Sequence, residues 1–528
     1  MTRSALVLIF SLLSFFALAQ TTPPAPLFPG MLGEEAEVSP PPPGEWIKHM
    51  PSGYRLEALP SHSVRALYLI PSNRTAQPQA VERMQYLLLL CQDWYRDEME
   101  RLGFGLTTFN LETEADGVTP KIYIVNAPNT DDYYRVDPWT RVSTAAQNAG
   151  LPIWSSGQVW IEIHEAHVMN SDGSITGGFN GGASYGSGSD GGVGMTVGST
   201  LALVRPEYLT DDRSYDGLTI SELGPYPMRN GVTCAWFDGT TISSISSVCH
   251  GIVLHEGSHG FGLHHDFRND LNFDGNMEGN GFRGVRGWTH PELYSDDETR
   301  LTYADALALS VNRYFRPSGT TFTDNTRPTG AVVTSGNVTP VNGLVEIRFT
   351  ASDAGGLAAA LLRLDGNTVG EMALSGTSVD QTFATTWYTP GQNNNYSIRL
   401  FDAQANRQDI STTINPASGF NRAPQPFIQA KPSKTAVNSP LVLDASRSYD
   451  PDHSVALLVA EWDLDGDGTF DTAPTTNLTY IATFSSAGTR KVCARITDPA
   501  GAQSISAPIG IRITAPTTAA HTRWTLYE

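Results

Sequence analysis

The chain has 528 residues, room for about three domains. It carries 54 Asp and Glu against 34 Lys and Arg, a formal net charge of −20. With no basic run to track a phosphate backbone, nucleic acid is excluded as a partner, and the acidity reads as a solubility property of an exported protein.

Residues 1–19 read as a signal peptide: Arg3, an apolar run from Ala5 to Leu18, and small residues Ala17 and Ala19 before Gln20. That run is too short and wrongly flanked to span a bilayer. No later stretch is apolar enough, so no transmembrane segment is expected. The mature protein is therefore expected to be secreted, in the extracellular space, at the cell surface or in the periplasm. Residues 20–62, with prolines 40 to 43, form a Pro-rich linker or short propeptide without a core.

Alternating apolar character predicts a first strand from Val64 to Ile70. Val81, Met84, Leu88, Cys91, Tyr95, Met99 and Leu102 then recur at helical spacing, a stripe that should pack on the sheet. Further strands are predicted over Thr107 to Leu111, Lys121 to Asn126 and Gln158 to His164. The cluster His164, Glu165 and His167 has the wrong spacing for one helical face and reads as a solvated strand end. The Gly-rich stretch 171–199 lacks the strand-to-helix context of a phosphate cradle and reads as a flap or insertion near a cleft. Cys234 and Cys249 flank a Ser/Thr-rich stretch, and in an exported protein they either pair or stay apart. Cys91 and Cys493 read as small buried hydrophobes.

The most informative segment is His255-Glu-Gly-Ser-His-Gly-Phe-Gly-Leu-His-His-Asp266. His255 and His259 are four apart, so on a helix they leave one face a turn apart and can hold one ion. Glu256, beside the first of them, can take a proton from a water at the open position without ligating. Gly262 can adopt a backbone conformation closed to other residues, so the chain turns and returns His265 as third ligand. Three imidazoles leave a fourth position open, the pattern of a catalytic zinc. His264, one residue short of the ligand slot, reads as a support to the site or a surface residue.

On these residues the chain resembles the metzincin metallopeptidases, through H-E-x-x-H-x-x-G-x-x-H followed by Asp266, as in adamalysins or a related secreted bacterial group. The resemblance implies one catalytic Zn2+, Glu256 as general base, Asp266 as a structural residue near the site, and a Met-turn. Met277, twelve residues after His265, is the candidate for that turn. Gly279 stands where some metzincins have a tyrosine, so no tyrosine role is carried over. Asp270, Asn272 and Asp274 with Gly275 form D-x-N-x-D-G, the opening half of a calcium loop. Position twelve would be Gly281, with no carboxylate, which leaves two readings, a bound Ca2+ or an Asx-rich turn.

Leu301 to Phe315 reads as a closing helix, so the metzincin-like catalytic domain covers residues 63–316. From Thr326 short β segments alternate with Gly, Asn and Pro turns. Residues 326–420 resemble an Ig-like β-sandwich. Residues 423–514, with Asp450, Asp452, Trp462, Asp463, Asp465, Asp467 and Gly468, resemble a PKD domain in which the Trp is core and the Asp-Gly cluster shapes a turn.

The expected fold is thus multidomain: an α/β metzincin-like zinc catalytic domain followed by two β-sandwich modules, Ig-like and PKD. The expected function is a secreted zinc endopeptidase acting on a protein or peptide substrate. Its sandwich modules would fold separately and serve binding to extracellular matrix or cell surface, so a chain ending near Arg316 should still cleave short peptides. A zinc hydrolase of a non-peptide bond and a surface adhesin on a metzincin scaffold are the alternatives.

Overall fold

The computed structural model describes residues 62–515 apart from 154–156, 177–178, 181–190, 199–205, 220–224, 233–238 and 318–319. The signal peptide, nearly all of the linker, Cys234 and part of the Gly-rich stretch lie outside the described residues. No described helix is long and apolar enough to cross a membrane.

An α/β domain comes first. The strands Ile122–Asn126, Ser63–Ile70, Gln158–His164 and Gly191–Gly198 lie side by side in that order, all parallel, and Phe179–Asn180 closes the edge antiparallel. Strand periodicity divides the side chains between two cores. Val64, Ala66, Val159, Ile161, Ile163, Met195 and Val197 meet the helix Ala80–Arg101 and the site helix Ile242–His259 on one face. Leu67, Leu69, Trp160 and Val193 meet the helices Asp131–Val136 and Pro138–Asn148 on the other. Both faces are covered, as a parallel sheet requires.

Several expectations change. Thr107 to Leu111 is not a strand: only Leu111 bridges to Val64, because Phe109 turns into an aromatic cluster with Tyr95, Phe261 and Phe315. The Gly-rich stretch is no mere flap, since Gly191–Gly198 is an inner strand. Its glycines suit the close approach of the site helix: a Cβ on Gly194 would stand 2.9 Å from the Val159 side chain and 3.5 Å from Gly260. His164, Glu165 and His167 are not solvated but fully buried, with Glu165 bonded to the Tyr68 hydroxyl and, at 3.2 Å, to Gln77. The closing helix is shorter, Tyr303–Ser310, capped by Thr302; Asn312 then turns the chain into a single tight turn, Arg313–Phe315.

Two β-sandwiches follow. In the first, the strands 329–332, 345–352 and 378–385 face a five-stranded sheet of 336–338, 407–416, 394–402, 357–364 and 367–373. In the second, Trp462 lies fully buried among Leu441, Leu443, Val492, Ile496 and Ile511. Asp463 accepts from the Gly466 and Gly468 N–H groups at 2.7 and 3.0 Å, the tight turn that the PKD resemblance implies.

The sandwiches are docked, contrary to the expectation of separate modules. Leu357–Leu364 is buried on both faces: Ala360, Leu362 and Leu364 fill its own sandwich, while Ala359 and Leu361, with Phe401, join the α/β core. Burying Leu361 and Phe401 is worth roughly 1.5–3 kcal/mol each, more than any surface ion pair. The second sandwich holds the end of the first long helix, where Arg101 Nη1 donates to Gly510 O at 2.7 Å. It also reaches the loop after the third histidine, where Ile428 N donates to Asn269 Oδ1 at 2.8 Å.

Candidate metal centre

The site helix starts at Thr241, whose hydroxyl accepts from Ser244 N while Ser244 Oγ accepts from Thr241 N, a reciprocal cap. It runs to His259 and is buried along nearly its whole length. Gly251 lets it lie against the turn Gly281–Gly284, where a Cβ would fall 1.8 Å from Phe282 O. Past the helix Gly262 takes φ +86°, a backbone conformation that residues with a side chain rarely adopt. The chain then returns His265.

The three histidines converge. Ring centroids lie 5.1 Å apart for His255 and His259, 5.3 Å for His255 and His265, and 5.0 Å for His259 and His265. The centre of that near-equilateral triangle stands roughly 3 Å from each ring, the reach of a metal–nitrogen bond of about 2.0–2.1 Å plus the ring radius. His255 Nδ1 is 2.7 Å from Met277 O and His259 Nδ1 is 3.1 Å from Leu263 O. A carbonyl only accepts, so both Nδ1 atoms carry the proton and both Nε2 atoms offer a lone pair. Burial first, then the neighbouring histidines, holds His255 well below the usual imidazole range; burial and then His259 bring His265 down to about 3. Burial lowers His259 as well, so all three are kept neutral, as ligands must be.

Glu256 is buried at 3% exposure, one residue beyond His255. Met277 is fully buried in the apolar cluster that includes Val253 and Phe282, with its carbonyl on His255. Asp266 does not point at the histidines' metal face: it takes Arg268 on both oxygens at 2.7 and 3.0 Å, and its N–H donates to Glu278 O. His264 accepts from Arg363 at 2.7 Å and so supports the site from outside.

Asp270 organises the loop that brings Met277 back. Its carboxylate accepts from the N–H groups of Asn276, Asn280 and Gly281 at 2.7–3.1 Å. Asp274 pairs with Arg300 at 2.6 Å and Lys431 at 2.8 Å, and Asn272 lies on the exposed turn. Carboxylate oxygens saturated by N–H donors and cations match the Asx-turn reading and leave little for a calcium ion.

One residue escaped the sequence reading. Glu278, directly after Met277, is fully buried, and its carboxylate lies 3.6 Å from His259 Nδ1. Glu278 and the three histidines together form a group able to hold a metal. Neither carboxylate oxygen has a hydrogen-bond partner among the described residues. Burial, then Asp305, Glu256 and Asp266, push this carboxyl well above its ordinary range. Such a carboxylate is costly without a nearby positive charge. Two Nε2 lone pairs, the His265 ring converging beside them and a buried carboxylate behind them fit a divalent cation. Adjacency to Met277 was the only signal in the sequence.

No protein-family model matches the chain, and no curated protein matches it in sequence. Among solved structures it is similar to a catalytically inactive OgpA from Akkermansia muciniphila in complex with an O-glycopeptide, at 13% identity and TM-score 0.46, covering 68% of this chain and 94% of that one. The PKD1 domain of Vibrio anguillarum Epp matches 18% of this chain over its full length, at 22% identity and TM-score 0.15. With TM-scores under 0.5, these likenesses leave the chemistry to be argued from the site's own geometry.

Proposed function

We propose that the protein is a secreted zinc-dependent endopeptidase. The observation that carries this reading is the convergence of His255, His259 and His265 with two Nδ1 atoms anchored on backbone carbonyls and Glu256 beside them. When bound, zinc supplies Lewis-acid polarisation of the scissile carbonyl and acidifies water at its open position. His255, His259 and His265 would hold it. Glu256 would take the proton from the attacking water and pass it to the leaving amine. Met277 would form the apolar floor of the site as a Met-turn, and Gly262 the bend that returns His265. Leu263 O would orient the His259 ring, and Glu278 behind it would offset the metal's charge.

Elemental analysis of the purified full chain tests the ligand set. The expected result is one zinc per chain, falling sharply in His265→Ala. Full zinc retention in that variant would place the third ligand elsewhere.

A further inference from the structure

The segment 262–268 follows the site helix, carries His265 and has no regular secondary structure. Its backbone groups need partners from outside, and an irregular segment without them samples many conformations. The first sandwich supplies partners for two carbonyls of the segment, that of Gly262 at the bend and that of the third histidine itself. Arg399 Nη1 donates to Gly262 O at 2.9 Å, and Thr368 N donates to His265 O at 2.7 Å. Arg363 Nη1 donates to His264 Nε2 at 2.7 Å. Glu371 pairs with Arg268 at 2.6 Å, and Arg268 in turn holds Asp266. These residues lie on neighbouring strands of one sheet, on or beside the face whose Leu361 and Phe401 fill the α/β core. Arg363 and Arg399 share Asp409, each at 2.9 Å, so the guanidiniums are themselves aimed.

We propose that the first β-sandwich is a working part of the metal centre: its sheet holds the segment 262–268 in the conformation that presents His265 to His255 and His259. Arg363, Arg399 and Thr368 are positioning residues, acting through the loop and touching neither metal nor substrate. The proposal rests on the zinc reading above. Its energetic logic is population: apparent metal affinity falls in proportion to the fraction of molecules whose loop is ligand-ready. Removing the Arg399 donor to Gly262 O and the Arg363 donor to His264 lowers that fraction while the two helix-borne ligands stay in place.

The test uses the full chain carrying Arg363→Ala and Arg399→Ala together. Zinc affinity is read by competition with a chromophoric chelator, and ligand geometry by the visible spectrum of the cobalt-loaded protein. The expected result is a zinc Kd weaker by about tenfold or more and a changed cobalt spectrum, with far-UV circular dichroism unaltered. Lysine at both positions, which keeps a donor and a charge, should recover part of the affinity. A Kd within about twofold of wild type together with an unchanged spectrum would overturn the proposal. Should the double alanine variant not fold, Arg399→Gln is read by the same two measurements and the same limits. A wild-type chain that takes up no zinc would instead sink the metal reading, and this proposal with it.

Discussion

Glu256 and Glu278 are both buried carboxylates beside the three histidines, yet their surroundings give them different work. Glu256 sits on the helix next to His255, and in the proposed mechanism it would exchange a proton with water at the metal's open position. Replacing it by Gln keeps shape and burial but removes the base. Glu256→Gln is therefore expected to bind zinc as wild type does and to lose turnover by roughly a hundred- to ten-thousandfold, measured by elemental analysis and peptide cleavage. Wild-type rates in the zinc-loaded variant would remove Glu256 from the mechanism. Glu278 lies behind His259, 3.6 Å from Nδ1, where in the proposed site its charge would offset that of the metal. Glu278→Gln should weaken zinc binding by about ten- to a hundredfold, the usual cost of losing an outer carboxylate. Unchanged zinc affinity would leave Glu278 no part in the site.

The site helix depends on one glycine for its seat. In an exposed helix Gly→Ala would stabilise by about 1 kcal/mol through propensity. At Gly251 the added Cβ would fall 1.8 Å from Phe282 O, so the turn Gly281–Gly284 must move. Gly251→Ala is expected to lower stability by about 1–3 kcal/mol, read from denaturant midpoints, against the propensity trend. A second element-level outcome concerns Glu162, buried between Ser143 and Thr196 hydroxyls, whose carboxyl burial pushes up to about 8. Below the ordinary carboxylate pKa both folded and unfolded chains hold this proton, and no penalty arises. As pH rises toward 8 the unfolded chain releases it first, so stability falls. Glu162→Gln should thus match wild type near pH 4 and exceed it by roughly 4 kcal/mol near pH 8, in urea unfolding at both values. The elements that sequence revealed were those with local signals: the first long helix through its stripe, and the convergence of three histidines through fixed spacing on one helix and one bend. The strand Gly191–Gly198 was hidden because its glycines suit a close helix rather than a strand's usual side-chain packing. Glu278 was hidden because a loop organised by Asp270, not a sequence spacing, carries it to His259.

At the scale of the whole molecule, the run Leu357-Ala-Ala-Ala-Leu-Leu-Arg-Leu364 was the overlooked sign of docking. A sandwich strand with one solvated face alternates; this one is apolar on both faces because the second lies against the α/β domain. The composition break near Arg316 marks a change of architecture, across which the first sandwich shares core residues with the α/β domain. A chain ended at Arg316 would uncover that apolar surface and free the segment 262–268. It is expected to hold zinc poorly and to cleave short peptides far more slowly than the full chain, as fluorogenic peptide assays and metal analysis would show. Equal rates would mean the sandwiches are spacers after all. The central claim, hydrolysis of peptide bonds by a metal held on His255, His259 and His265, has a more direct test. A peptide library is incubated with the purified full chain and products are read by mass spectrometry, before chelation, after chelation, and after zinc is restored. The account predicts internal cleavages that vanish with chelator and return with zinc. Cleavage indifferent to chelator, or a fully zinc-loaded chain that leaves the library uncut, would contradict it.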